Sequence, residues 1–119
     1  MTYEEQQIYD KLSSDKKDDY NHLRSKHPGW SHNQIMGKLA VSSKIDEILE
    51  NGGDVNPDDP QFMSEILKGA KEFLLNLGII IDSFFEAIDA ALNVLDNIIE
   101  AGINYIGDKL KAFWDWLTN

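Results

Sequence analysis

The sequence predicts an all-α protein with an N-terminal bundle of about three short helices, followed by long, amphipathic, highly apolar C-terminal helices. Two features of the chain lead to this prediction. Apolar residues recur at helical spacing, in segments that open with capping residues and close at glycine or proline. Hydrophobic residues also rise from 17 among residues 1–60 to 33 among residues 62–117, so the second half needs far more burial.

The first two helices are predicted from their caps. Thr2 followed by Glu5 forms a capping box, in which each side chain bonds the other residue's backbone N–H, and this helix is expected to end near Leu12. Three capping residues, Ser13, Ser14 and Asp15, then precede a second helix over about 15–26.

A turn and a longer helix complete the N-terminal half. Pro28 disfavours helical backbone at the residue before it, and Gly29 bends freely, so residues 27–30 are predicted to turn. Ser31 with Gln34 is a second capping box and opens a helix over about 32–50. Asn51-Gly52-Gly53 should end it, with glycine in the left-handed conformation after the last turn.

Three regions follow from this pattern: a polar helical region over 1–51, an acidic proline-containing connector over 52–59, and an apolar amphipathic helical region over 60–119. Asp59 is placed to cap the next helix and Pro60 to occupy its first position, where a missing N–H costs nothing. That helix is predicted to run to about Leu77, with a bend at Gly78.

From residue 79 onward, polar side chains keep to one narrow stripe. At 100° per residue they fall within a sector about 120° wide and leave roughly 240° apolar, more than one globular core usually covers. The phase continues through Gly102 and Gly107, where a continuous or a broken helix would both be consistent with it. The stripe consists of Asp82, Glu86, Asp89, Asn93, Asp96, Asn97, Glu100, Asn104, Asp108, Lys111 and Asp115.

The apolar side of this segment is the predicted interaction surface. The N-terminal half has only about a dozen large apolar residues, too few to sheath it, so we expect it to self-associate or to dock on a protein partner. Trp30, in the turn, is expected either to fix the angle between two helices or to be an exposed binding hot spot. The predicted interaction residues are Phe84, Phe85, Ile88, Leu92, Leu95, Ile99, Ile106, Phe113, Trp114, Trp116 and Trp30.

These patterns favour a small non-enzymatic interaction or assembly protein, such as a subunit, adaptor or chaperone. The alternative is a small membrane-active or pore-forming effector whose polar N-terminal half keeps it soluble. The tail over residues 103–119 resembles the short amphipathic lytic peptides of bacteria, and its tryptophans suit the headgroup boundary. Its polar face, however, is acidic rather than lysine-rich. The chain also has no run of 18 apolar residues free of charge, which is the length that a membrane-spanning helix needs.

Charge and composition disfavour other classes. A net charge of −10 opposes binding to nucleic acid and to anionic lipid headgroups. The chain has no cysteine and no apolar signal segment at its start, so we expect it to be cytoplasmic as made, with delivery by a non-classical route left open. No cofactor is predicted, and the carboxylates on the helix are expected to form its solvated face rather than a catalytic pair.

Two candidate metal sites are weak. Asp54, Asn56, Asp58 and Glu65 occupy four ligand positions of an EF-hand loop, but Asp59 stands where the loop requires glycine. We therefore expect a linker rather than a calcium site. The three histidines, His22, His27 and His32, do not share a helix face and are expected at the surface, with His27 and Trp30 organising the turn.

Overall fold

The computed structural model describes residues 1–118, and within them the chain forms six α-helices and no strand. The helices are α1 (Tyr3–Asp10), α2 (Ser14–Lys26), α3 (His32–Glu50), α4 (Pro60–Asn76), α5 (Asp82–Glu100) and α6 (Gly107–Thr118). The prediction of an all-α protein is therefore confirmed.

Local signals set the helix starts as predicted. Thr2 and Glu5 make both bonds of a capping box, and the Ser31 hydroxyl accepts a hydrogen bond from the backbone N–H of Gln34. The Asp59 carboxylate accepts one from the N–H of Gln61, and Pro60 stands in the first turn.

The prediction of long C-terminal helices is wrong. Residues 60–118 form three helices of 17, 19 and 12 residues, because the chain turns after α4 and again after α5. Gly78, Gly102 and Gly107 adopt φ values of 71°, 71° and 77°, in the left-handed region that glycine enters without steric cost. Gly52, with φ of 81°, ends α3 in the same way. The helix is thus broken at the two glycines that the sequence singled out.

One hydrophobic core joins the polar and apolar regions of the chain. Helix α4 lies at its centre, packed against α3 on one side and α5 on the other, while α2 and α6 pack on α3. Helix α1 buries none of its own residues and contacts the core only through partly buried side chains such as Ile8 and Tyr9. The fold therefore covers α5 and α6 from two directions, by the N-terminal helix α3 and by the chain's own α4.

Candidate interaction surface

Five of the predicted interaction residues are inside the core. Ile88 and Leu95 are fully buried, and Phe84, Ile106 and Trp114 are no more than 7% exposed. The ring of Trp114 packs edge-on against Phe62 of α4, with centroids 6.1 Å apart. In this fold these side chains contact their own chain, and no partner can reach them without unfolding.

Four more of these residues are partly buried: Phe85, Leu92, Ile99 and Phe113. Phe85 lies under the ammonium group of Lys71, whose Nζ is 5.5 Å from the ring centroid. The same ammonium donates a 2.8 Å hydrogen bond to Asp89, so Lys71 links α4 to α5 across the aromatic ring. This flank of α5 is therefore covered by α4 rather than open to a partner.

Trp116 is the predicted residue that remains outside. It is 49% exposed, and its ring stacks on that of Phe113 with centroids 6.2 Å apart and an interplanar angle of 13°. It borders a groove of about 250 Å³ where α3 begins, α5 begins and α6 ends. The other residues that line this groove are Ser31, Asn33, Gln34, Ser83, Phe84 and Ala87. None of them is charged.

The same side of α5 continues as an uncharged strip. Ala87, Ala90 and Val94 follow one another at intervals of three and four residues, which places them on one helix face. Ala90 is exposed and Val94 is 48% exposed. We call Trp116, Phe113, the groove and these three residues the Trp116 surface.

Acidic side chains border the Trp116 surface. Helix α5 carries five carboxylates and no basic residue, and all five are exposed: Asp82, Glu86, Asp89, Asp96 and Glu100. Asp115, which precedes Trp116 on α6, is also exposed. The predicted polar stripe is therefore a solvated face on α5, next to an uncharged strip that the periodicity did not separate from the buried face.

Trp30 has a structural position in the turn between α2 and α3. It is half-buried, and its ring stacks on His27 with centroids 3.8 Å apart and planes 6° from parallel. Its carbonyl accepts a hydrogen bond of 3.5 Å from the Arg24 guanidinium. In this position Trp30 contacts the C-terminal end of α2 through His27 and Arg24.

The prediction that His32 lies at the surface is wrong. His32 is 3% exposed, and its Nδ1 lies 2.8 Å from the Tyr20 hydroxyl, which is itself fully buried. Arg24 Nη2 donates to the same hydroxyl oxygen at 2.8 Å, and the direction of the bond between the hydroxyl and His32 Nδ1 depends on the tautomer of the imidazole. The sequence does show that Tyr20 and Arg24 lie one turn apart on α2 and can bond each other. It does not show which residue of another helix contacts them.

This arrangement favours the neutral imidazole. Burial lowers the pKa of His32 below its ordinary value of 6.5, and the nearby Arg24 charge lowers it further, while Glu5 acts in the opposite direction. Nε2 has no hydrogen-bond partner among the residues that the structure describes.

The acidic connector does not gather into a metal site. Among the described residues, no group of three or more histidine, cysteine, aspartate or glutamate side chains is placed to hold a metal ion. Asp54, Asn56 and Asp58 are exposed in the connector, whereas Glu65 is exposed on α4. Asp59 and Pro60 start α4, so the backbone is already helical at the positions where an EF-hand loop makes its sharp turn around the ion.

A wider groove of about 560 Å³ runs along the outer side of α4, towards Lys44 of α3 and Asp96 of α5. It is lined by side chains of both charges, including Lys44, Lys68, Glu65 and Glu72, so its electrostatic potential has no consistent sign.

Comparison with protein-family models, curated proteins and solved structures found no match to this chain. None of the helices in the described part of the chain is long and apolar enough to cross a membrane.

Proposed function

We propose that this protein is a small non-enzymatic interaction protein that docks on a protein partner through the Trp116 surface. The observation that carries the proposal is the half-exposed Trp116, which borders an uncharged groove while Leu110, Trp114 and Leu117 of the same helix are buried in the core. Tryptophans at the edge of an apolar pocket are typical binding hot spots, because they bury a large area at small conformational cost.

A second copy of the chain and a membrane are the two other possible ligands of this surface. A second copy would bring another net charge of −10, with its carboxylates, against the first. An anionic membrane would meet the same repulsion. The membrane-active alternative is supported by Tyr105, which is 69% exposed in the loop before α6, and by Trp116 itself.

Site-specific photo-crosslinking in the native host tests the proposal. A photoreactive phenylalanine analogue replaces Trp116 in one variant and Tyr3 in the control, because Tyr3 is 78% exposed at the opposite end of the sequence. We expect a discrete protein adduct at position 116 that is absent at position 3. The adduct partner, purified, should bind the wild-type protein at least about tenfold more tightly than the Trp116→Ala variant.

Three results would contradict the proposal. Equal crosslinking at both positions would indicate non-specific contact. An adduct only with a second copy of the chain would indicate self-association. Leakage of zwitterionic liposomes that Trp116→Ala abolishes, without any protein adduct, would favour the membrane-active alternative.

A further inference from the structure

The charges around the Trp116 surface restrict the partner. Residues 82–117 contain seven acidic and two basic residues, and the two basic ones, Lys109 and Lys111, lie seven and five positions before Trp116. At a rise of 1.5 Å per residue they are about 10 and 8 Å from Trp116 along α6, and Lys109 lies one turn before Phe113. The charged residues next in sequence to the rest of the surface, Asp82, Glu86, Asp89 and Asp115, are exposed carboxylates, and Asp89 is paired with Lys71 of α4.

The α3 side of the groove does not offset this negative charge. The groove is lined there by Ser31, Asn33 and Gln34, which are uncharged. Lys38, one turn further along α3, is partly exposed and has an interaction within the chain. A ligand on the surface therefore meets an apolar floor at Phe84 and Ala87 and a negative potential along α5.

The shape of the surface is long and narrow. Ala87, Ala90 and Val94 extend from the groove along α5, and the three residues span about 10 Å of helix. An uncharged strip of this kind, with an anchor pocket at one end and carboxylates along its edge, fits the apolar face of a second helix.

We propose that the Trp116 surface binds a basic amphipathic helix of a partner protein. The inference rests on the proposed function and adds the chemistry of the partner to it. An apolar side chain of that helix occupies the groove beside Trp116, and its lysine or arginine side chains lie against Glu86 and Asp115. The carboxylates raise the rate of encounter and fix the orientation, whereas the apolar contact supplies most of the affinity.

The test uses three fluorescein-labelled synthetic peptides and measures anisotropy. The first peptide is a 15-residue amphipathic helix of leucine and lysine, the second replaces lysine with glutamate, and the third shuffles the first so that no apolar face remains. We expect the lysine helix to bind at least about tenfold more tightly than either control peptide, and Trp116→Ala to weaken it about tenfold. Raising the salt concentration should weaken it as well.

A matched pair of charge variants locates the contact. Glu86→Lys with Asp115→Lys should weaken binding of the lysine helix at least about fivefold. Asp19→Lys with Asp46→Lys makes the same change in net charge between α2 and α3, where Asp46 lies about 18 Å along α3 from Gln34, and should change binding less than about twofold. Circular dichroism confirms that each variant is folded.

The inference is overturned if the shuffled or glutamate peptide binds as tightly as the lysine helix, or if both charge variants weaken binding equally. Should crosslinking at position 116 still recover a protein partner, the proposed function stands and only the basic chemistry of the partner is wrong. If no adduct forms and Trp116→Ala leaves peptide binding unchanged, both fail.

Discussion

At the scale of single residues, the closest packing between α3 and α5 depends on a glycine. A Cβ atom added at Gly37 would lie 2.7 Å from Cε2 of Phe84, and that ring is 5% exposed, so it has little room to move. An exposed Gly→Ala change inside a helix would gain about 1 kcal/mol, but overpacking a filled core costs about 1–3 kcal/mol. The steric cost exceeds the gain because the neighbour is an aromatic ring inside the core.

We therefore expect Gly37→Ala to lower the free energy of unfolding by up to about 2 kcal/mol in urea denaturation. Gly29→Ala is the control, because a Cβ there would have no atom within 4 Å, and it should change stability by less than about 0.5 kcal/mol. A higher melting temperature for Gly37→Ala than for the wild type would show that Phe84 does not pack as described.

His32 makes stability depend on pH in a predictable direction. Burial lowers the pKa of His32 in the folded state below 6.5, so between that lowered pKa and 6.5 the unfolded chain binds more protons than the folded one. Stability should thus fall as the pH drops below 6.5. His32→Gln should flatten this part of the stability curve, whereas His22→Gln should leave it unchanged because His22 is exposed. Urea midpoints measured from pH 7.5 to 5 would contradict the account if the two variants gave the same curve.

The hydrogen bonds that could be predicted from the sequence are those between residues no more than four positions apart in the chain. Thr2 with Glu5, and Asp59 with Gln61, make the cap bonds expected of them, since a cap involves only its own helix. His32 could not be placed in this way. Its partner Tyr20 lies twelve residues away on another helix, and a histidine after a serine cap looks like any exposed first-turn residue.

At the scale of helices, neighbouring residues of α5 lie on opposite sides of the boundary between its buried and its exposed face. Leu95 is fully buried, whereas its neighbour Val94 is 48% exposed. Leu95→Ala should therefore cost about 2–5 kcal/mol of unfolding free energy, as cavity-forming substitutions in cores do. Val94→Ala, on the same helix and one residue away, should cost less than about 0.5 kcal/mol. Similar urea midpoints for the two variants would show that α5 packs with a different face inward.

The sequence predicted the ends of these helices better than their faces. Gly52 and Gly78 mark turns as expected, because a left-handed backbone is a local property of glycine, whereas Gly102 and Gly107 lie at a break that the pattern had left open. The face of α5 was harder to predict. Its apolar sector includes the buried Ile88 and the exposed Val94 and Ala90, and periodicity alone does not show how far the neighbouring helices reach around it.

At the scale of the whole molecule, the expectation that the apolar half must be covered from outside came from treating it as one extended helix. The turn at residues 101–106 folds α6 back, so Leu110, Trp114 and Leu117 enter the same core as Leu95. Part of the cover for the apolar half is supplied by the apolar half itself, because α4 packs against α5, and the rest comes from α3, which packs against α4 and α6. A count of apolar residues in the N-terminal half could not include the contact between α4 and α5, because it depends on the direction that the chain takes after Gly78.

The molar mass in solution, measured by light scattering with and without a mild detergent, tests most directly whether the fold covers the buried faces of α5 and α6 within one chain and leaves the Trp116 surface open to a partner. We expect a monomer of 13.5 kDa at micromolar concentration, with no change on adding detergent. A defined oligomer that detergent dissociates would contradict it, since the buried faces of α5 and α6 would then be interfaces between copies rather than the core of one chain.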